Sequence, residues 1–221
     1  MRRFSVVVAL ALAATASAAE LVVVDWSTHA LGARGVPEGW TPQSWSRSSY
    51  DLTIVEDEGR RAMRMRARDE RVTITLALGG RVRLAATPIL EWQWKALVLP
   101  PGDARRKETS DQAAQIYVIW PRPPEALRSR IIGYAWDTTA PEGSIFQSRK
   151  TGTVTYVVIR SGTADVGRWL TERRDVGADF RRIFGEEPGD PGALALSVDA
   201  NDTHSEAESL IGRIVFRSGP P

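Results

Sequence analysis

Between Leu21 and Phe216 the chain keeps returning to short β-branched and aromatic runs, each closed within a few positions by Gly, Pro, Asp or Asn. The runs fall at residues 21–26, 52–56, 62–68, 72–78, 89–99, 115–120, 131–136, 153–160, 193–198 and 211–216. Short runs with frequent turn signals leave little length for helices, so the pattern predicts many strands arranged in a sandwich. Asp57-Glu58-Gly59 sits between two of the runs and predicts a hairpin. In its second arm Met63, Met65 and Ala67 alternate with Arg64, Arg66 and Arg68, one face for the core and one for solvent. Leu90, Trp92 and Trp94 share a strand face in the same way, and core is the preferred reading for both indoles over a sugar-stacking platform. Trp45 is expected to begin the return to the sheet.

Only residues 175–185 read as a helix, with Phe180, Ile183 and Phe184 on one side and Gly185 placed as a C-terminal cap. Pro121-Arg122-Pro123-Pro124 is a rigid connection, and residues 137–152 form a long loop of the functional or mobile kind. The expected fold is therefore all-β: one two-sheet, jelly-roll-like sandwich over residues 20–221 with one short helix.

Residues 1–19 have a basic end (Arg2, Arg3), an apolar run and small residues at Ala16, Ser17, Ala18 and Ala19, the pattern of a secretory signal peptide. The run is shorter than the ~18–20 residues that span a bilayer, so removal is expected and no transmembrane segment is predicted. Of 29 Lys and Arg, Arg2 and Arg3 leave with that leader, so 27 basic residues remain against 27 acidic ones. A balanced chain gives no broad positive field, and nucleic acid is excluded as a partner. With no cysteine there is no disulfide, no thiolate chemistry and no lipoprotein anchor. A soluble periplasmic or secreted protein is the expectation.

Several motifs follow in a distinctive order: Trp92-x-Trp94 after Pro88, the segment DQAAQIYVIW at 111–120, GYAW at 133–136 and IRSG at 159–162. They continue with W-x-x-E-R-R-D-V and D-F-R-R-I-F-G-E within 169–186, then VDANDT at 198–203. In this succession the chain resembles a family of exported bacterial proteins known only as a domain of unknown function. The resemblance implies a jelly-roll sandwich, related in shape to galactose-binding and concanavalin-like domains, and implies no established activity.

Nucleophile-elbow, phosphate-loop and zinc-protease motifs are absent, and His29 and His204 read as surface residues. Carboxylates are the remaining route to catalysis, since a glycosidase needs a pair set ~5 Å or ~6.5–9.5 Å apart. The candidates are Glu91, Asp111, Asp137, Glu172, Asp175 and Asp179. Arginines flank Glu172, Asp175 and Asp179, which lowers a carboxyl pKa and favours ion pairing over proton donation. Asp199, Asn201, Thr203 and Glu206 could supply oxygen ligands to a structural calcium, although an Asx-rich turn is preferred because the Gly and terminal Glu of a helix-flanked calcium loop are missing. No other cofactor is expected.

The reading is a non-catalytic binding module for a carbohydrate or other cell-envelope component. Exposed Trp40, Trp136 and Trp169 would stack on the ligand, with Glu172 and Asp111 orienting it. A carbohydrate-active hydrolase using a carboxylate pair and a structural or protein-interaction envelope protein are the alternatives. The charged stretch 156–188 is expected to act mainly as a clasp that fixes the helix against the sandwich.

Overall fold

A computed structural model describes residues 19–43 and 48–219. Residues 1–18 of the expected leader and Trp45 lie outside the described residues. In chain order the strands are β1 (Glu20–Val24), β2 (Trp40–Pro42), β3 (Asp51–Asp57), β4 (Arg60–Arg68), β5 (Arg71–Ala77), β6 (Ile89–Val98) and β7 (Gln112–Trp120). Helix α1 (Glu125–Arg128) precedes β8 (Arg130–Asp137), β9 (Ile145–Gln147), β10 (Val154–Ser161) and β11 (Leu170–Asp175). Helix α2 (Val176–Phe184), β12 (Ala193–Asp199) and β13 (Glu206–Arg217) complete the chain.

Two sheets form, in the orders β11-β6-β13-β4-β3, with β1 also paired to β13, and β2-β5-β12-β7-β8-β10-β9. The pairs are antiparallel except β8 with β10. This is the predicted jelly-roll-like sandwich. The expectation of one helix needs an addition: α1 follows the Pro-rich connection and spans four residues, too few for a helical period to show in sequence. Among the described residues no helix is long and apolar enough to cross a membrane.

Strand alternation puts Met63 and Met65, Leu90, Trp92 and Trp94, and Ile214 and Phe216 on the inner face of the six-stranded sheet, all buried. They meet Val72 and Ile74, Ile116 and Val118, Tyr134 and Trp136, and Leu196 and Val198 of the other sheet. Trp92 lies edge-on to Trp94 with ring centroids 5.4 Å apart and stacks on Tyr134 at 5.3 Å. Trp94 reaches Trp136 at 5.7 Å. These rings span the gap between the sheets, and each large side chain taken from water contributes roughly 1.5–3 kcal/mol. The outer face of the same sheet carries Arg64 and Arg66 against Glu208, with Arg66 Nε 2.9 Å from the carboxylate, a solvated ladder of small energetic weight.

The charged stretch after Tyr156 does clasp a helix. Asp175 Oδ1 accepts from Ala178 N–H at 2.8 Å, capping the start of α2, and left-handed Gly185 ends it with an N–H bond to Arg181 O. Asp179 is buried and accepts from Tyr134 Oη and Arg174 Nε, both at 2.9 Å. Phe180 is buried between Trp120 and Phe184, at 4.6 and 4.8 Å.

Candidate functional site

The outer face of the seven-stranded sheet is the unusual one. Strand alternation turns Arg71, Thr73 and Thr75 of β5, Ala195, Ser197 and Asp199 of β12, and Gln115, Tyr117 and Ile119 of β7 away from the core. Ile131 of β8 and Val154 and Tyr156 of β10 continue this face. On an open sheet such residues would meet water. Here Tyr117 is 7% exposed, Tyr156 3%, and Gln115 and Ser197 are fully buried, so the face is roofed.

Two segments of the roof follow from the hydrogen bonds. Ser148–Thr151, between β9 and β10, is held by Ser148 N–H to Val154 O at 2.9 Å and by the Lys150 and Thr151 N–H groups on Ser148 Oγ, both at 3.2 Å. Residues 200–205, between β12 and β13, fold over the other end, where Asp111 accepts from the N–H groups of Asp202 and Thr203 and from Thr203 Oγ1. Lys150 of the first segment forms an ion pair with Asp202 of the second.

A cleft of about 110 Å³ remains beneath the roof. Its floor is Ile119, Ile131, Val154 and Ala195, and its polar lining is Arg71, Thr73, Thr75, Tyr117 and Tyr156, with Ser148, Lys150, Thr151 and Gln43 around it. The hydroxyls form two hydrogen-bonded groups. Tyr117 Oη donates to Gln115 Oε1 and lies 3.2 Å from Tyr156 Oη, Gln115 Nε2 donates to Gln112 Oε1, and Thr73 Oγ1 and Ser197 Oγ bond at 2.7 Å. Burial raises both tyrosine pKa values, which keeps the hydroxyls protonated at neutral pH.

Below this set, Arg71 Nε donates to Asp199 Oδ2 at 2.6 Å, and Arg71 Nη2 shares the same oxygen. Asp199 is fully buried, and desolvation raises its carboxyl to about 6 against the opposing pull of Arg71. The ion pair in turn raises Arg71. Asp199 Oδ1 and Gln112 Nε2 are buried with no hydrogen-bond partner among the described residues.

None of the residues singled out from sequence lines this cleft. Trp136 is on the inner face of β8, 1% exposed, with Nε1 bonded to Gly162 O, so it is a core residue and not the exposed ring expected. Trp40 is half-buried and stacked on Trp26 at 5.7 Å. Trp169 is half-buried near Gly212 of the other sheet, with Nε1 donating to Asp57 Oδ2 at 2.7 Å and Arg60 over its ring. The three indoles share no surface.

Glu172 accepts from Arg160 Nε at 2.7 Å and from Trp94 Nε1 at 3.3 Å, away from the cleft. Asp111 holds the 200–205 turn by accepting from the N–H groups of Asp202 and Thr203. Asp199 faces Arg71 as its positive charge, and Asn201 is exposed on the turn beyond. Among the described residues no three His, Cys, Asp or Glu side chains gather as a metal-holding group.

Neither Asp199 nor Asp111 lines the cleft, and Arg71, Tyr117, Tyr156 and Lys150, which do, were not anticipated. Their one sequence signal was polar residues at spacing two on β-branched strands, as in Arg71-x-Thr73-x-Thr75.

Residues 38–215 match the model of a family described as "Protein of unknown function (DUF3047)". No curated protein matches the chain. Among solved structures, the chain is similar to a cellulase derived from the Cel12A enzyme of Rhodothermus marinus, at 11% identity over 91% of this chain and 100% of that one, TM-score 0.46. It is also similar to the xyloglucanase domain of a type three effector from Sinorhizobium fredii, at 13% identity over 87% and 100%, TM-score 0.45. A family 29 carbohydrate-binding module from Piromyces equi aligns at 10% identity over 92% and 93%, TM-score 0.40.

Proposed function

The chain belongs to the family of unknown function matched by its residues 38–215, and we propose that it is a binding module for a neutral carbohydrate held in the roofed cleft. The observation that carries this reading is the lining. Hydroxyls of Tyr117, Tyr156, Thr73, Thr75 and Thr151 border an apolar floor of Ile119, Ile131, Val154 and Ala195. A sugar ring presents the matching surface, with hydroxyls at its edge and C–H groups on its faces. Both cations of the lining are already neutralised, Arg71 by Asp199 and Lys150 by Asp202, which favours an uncharged ligand. A binding role is preferred over hydrolysis because Asp199 and Asp202 are ion-paired and Asp111 is engaged by the 200–205 turn, leaving no free carboxylate pair among these acids. With the leader that residues 1–19 resemble, the ligand would be met outside the cytoplasm, as a cell-envelope or secreted glycan.

Calorimetric titration with neutral mono- and oligosaccharides tests the reading. At least one sugar series is expected to bind, and Tyr156→Phe is expected to weaken it about 5- to 10-fold, the loss of one hydrogen bond of about 1 kcal/mol. Failure of every sugar to bind, or binding that Tyr156→Phe and Thr73→Val both leave unchanged, would contradict it.

A further inference from the structure

Resting on the carbohydrate reading, we infer that the cleft takes the end of a glycan chain, or a single free sugar, and that Lys150 and Asp202 set this choice. The strand registers fix where the bridge runs. Val154 pairs with Ile131, Ile131 with Ile119, and Ile119 with Ala193, so the start of β10 lies level with the start of β12. Asp199 ends β12 six residues further on, roughly 20 Å along the strand at ~3.3 Å per residue. The 148–151 segment is tied to the Val154 end, whereas Asp202 belongs to the turn just beyond Asp199. The Lys150–Asp202 ion pair can form only because the segment folds back along the strands over Tyr117 and Tyr156.

A polysaccharide lying in an open groove across the strands would have to pass through this bridge. The bridge crosses that path, and its Lys150 lines the cleft of about 110 Å³. A chain can therefore enter only by its terminus. Neither Lys150 nor Asp202 belongs to the sheet, so the restriction is separable from the floor that binds the ring.

The test is affinity against chain length, measured by calorimetry with linear gluco-, xylo-, manno- and galacto-oligosaccharides of one to six units. For the wild-type protein, affinity in the series that binds is expected to level off at one or two units, with the hexamer within about twofold of the dimer. In Lys150→Ala and in Asp202→Asn, each first shown to keep the wild-type unfolding midpoint, the hexamer is expected to gain about tenfold over the dimer. Wild-type affinity that climbs with each added unit to six would overturn the inference while leaving the carbohydrate reading intact. So would variants that level off where the wild type does. Absence of binding in all series and all variants would instead overturn the carbohydrate reading, and this inference with it.

Discussion

Arg71 opens β5 directly opposite Asp199 at the end of β12, and its Nε lies 2.6 Å from a carboxylate oxygen that no solvent reaches. Removing one member of a buried ion pair strands the other. Arg71→Met is therefore expected to lower unfolding free energy by about 3–5 kcal/mol at pH 7, read by urea denaturation. A loss under about 1 kcal/mol would mean that the pair is solvated.

The same pair gives a pH dependence with a definite sign. Desolvation lifts Asp199 from the ordinary 3.8 to about 6, so the folded state holds its proton more tightly than the unfolded chain does. Stability from this group is full below about pH 4 and is lost as pH rises through about 6. The Arg71→Met deficit should shrink as pH falls from 7 to 5, because the carboxyl is then increasingly protonated in both proteins. Carboxyl carbon NMR of Asp199 should show a midpoint near 6 in the wild type and a higher one in Arg71→Met.

Gly133 of β8 lies between the two tyrosines of the cleft. A Cβ built there would fall 2.8 Å from Tyr117 Cε1 and 2.9 Å from Tyr156 Cδ1. Both rings are buried and must shift to admit the methyl group, so Gly133→Ala should cost about 1–3 kcal/mol and displace the hydroxyl pair. The expected result is a lowered unfolding midpoint together with lost sugar binding. Unchanged stability and binding would show that the rings have room to move.

Asp179 joins α2 to the sandwich by accepting from Tyr134 and Arg174. Asp179→Ala leaves a buried phenol hydroxyl without its acceptor and a guanidinium without its partner. A loss of about 2–4 kcal/mol with an unchanged urea m-value is expected. A fall in m-value instead would indicate that α2 detaches while the sheets persist.

Much of the fold was legible because β strands with one buried face write their geometry into a period of two. Met63, Met65 and Ala67 against Arg64, Arg66 and Arg68 identified the inner and outer sides of β4, and Trp92 and Trp94 proved to be core. Gly185, read as a helix stop, has the left-handed backbone that such a cap uses. The cleft was far less legible. Thr73, Tyr117, Tyr156 and Ser197 lie on four strands distant in sequence, and only the order β5-β12-β7-β8-β10 makes them neighbours. Their alternation alone reads as an ordinary solvated face, since spacing shows which side a residue occupies but not what covers it. Tryptophans drew attention as stacking residues, yet Trp136 falls on the inner side of β8 and Trp169 is held by Asp57. The long stretch between β8 and β10, expected as a loop throughout, carries strand β9 at Ile145–Gln147 before the Ser148–Thr151 segment.

A backbone amide NMR titration of the protein with the neutral oligosaccharide series tests most directly whether the roofed cleft binds sugar. Shifts are expected at Thr73, Tyr117, Ile131, Tyr156 and the Ser148–Thr151 segment, lost in Tyr156→Phe in proportion to its weaker affinity. Shifts centred instead on Trp169 and the outer face of the six-stranded sheet, or no shift with any sugar, would contradict it.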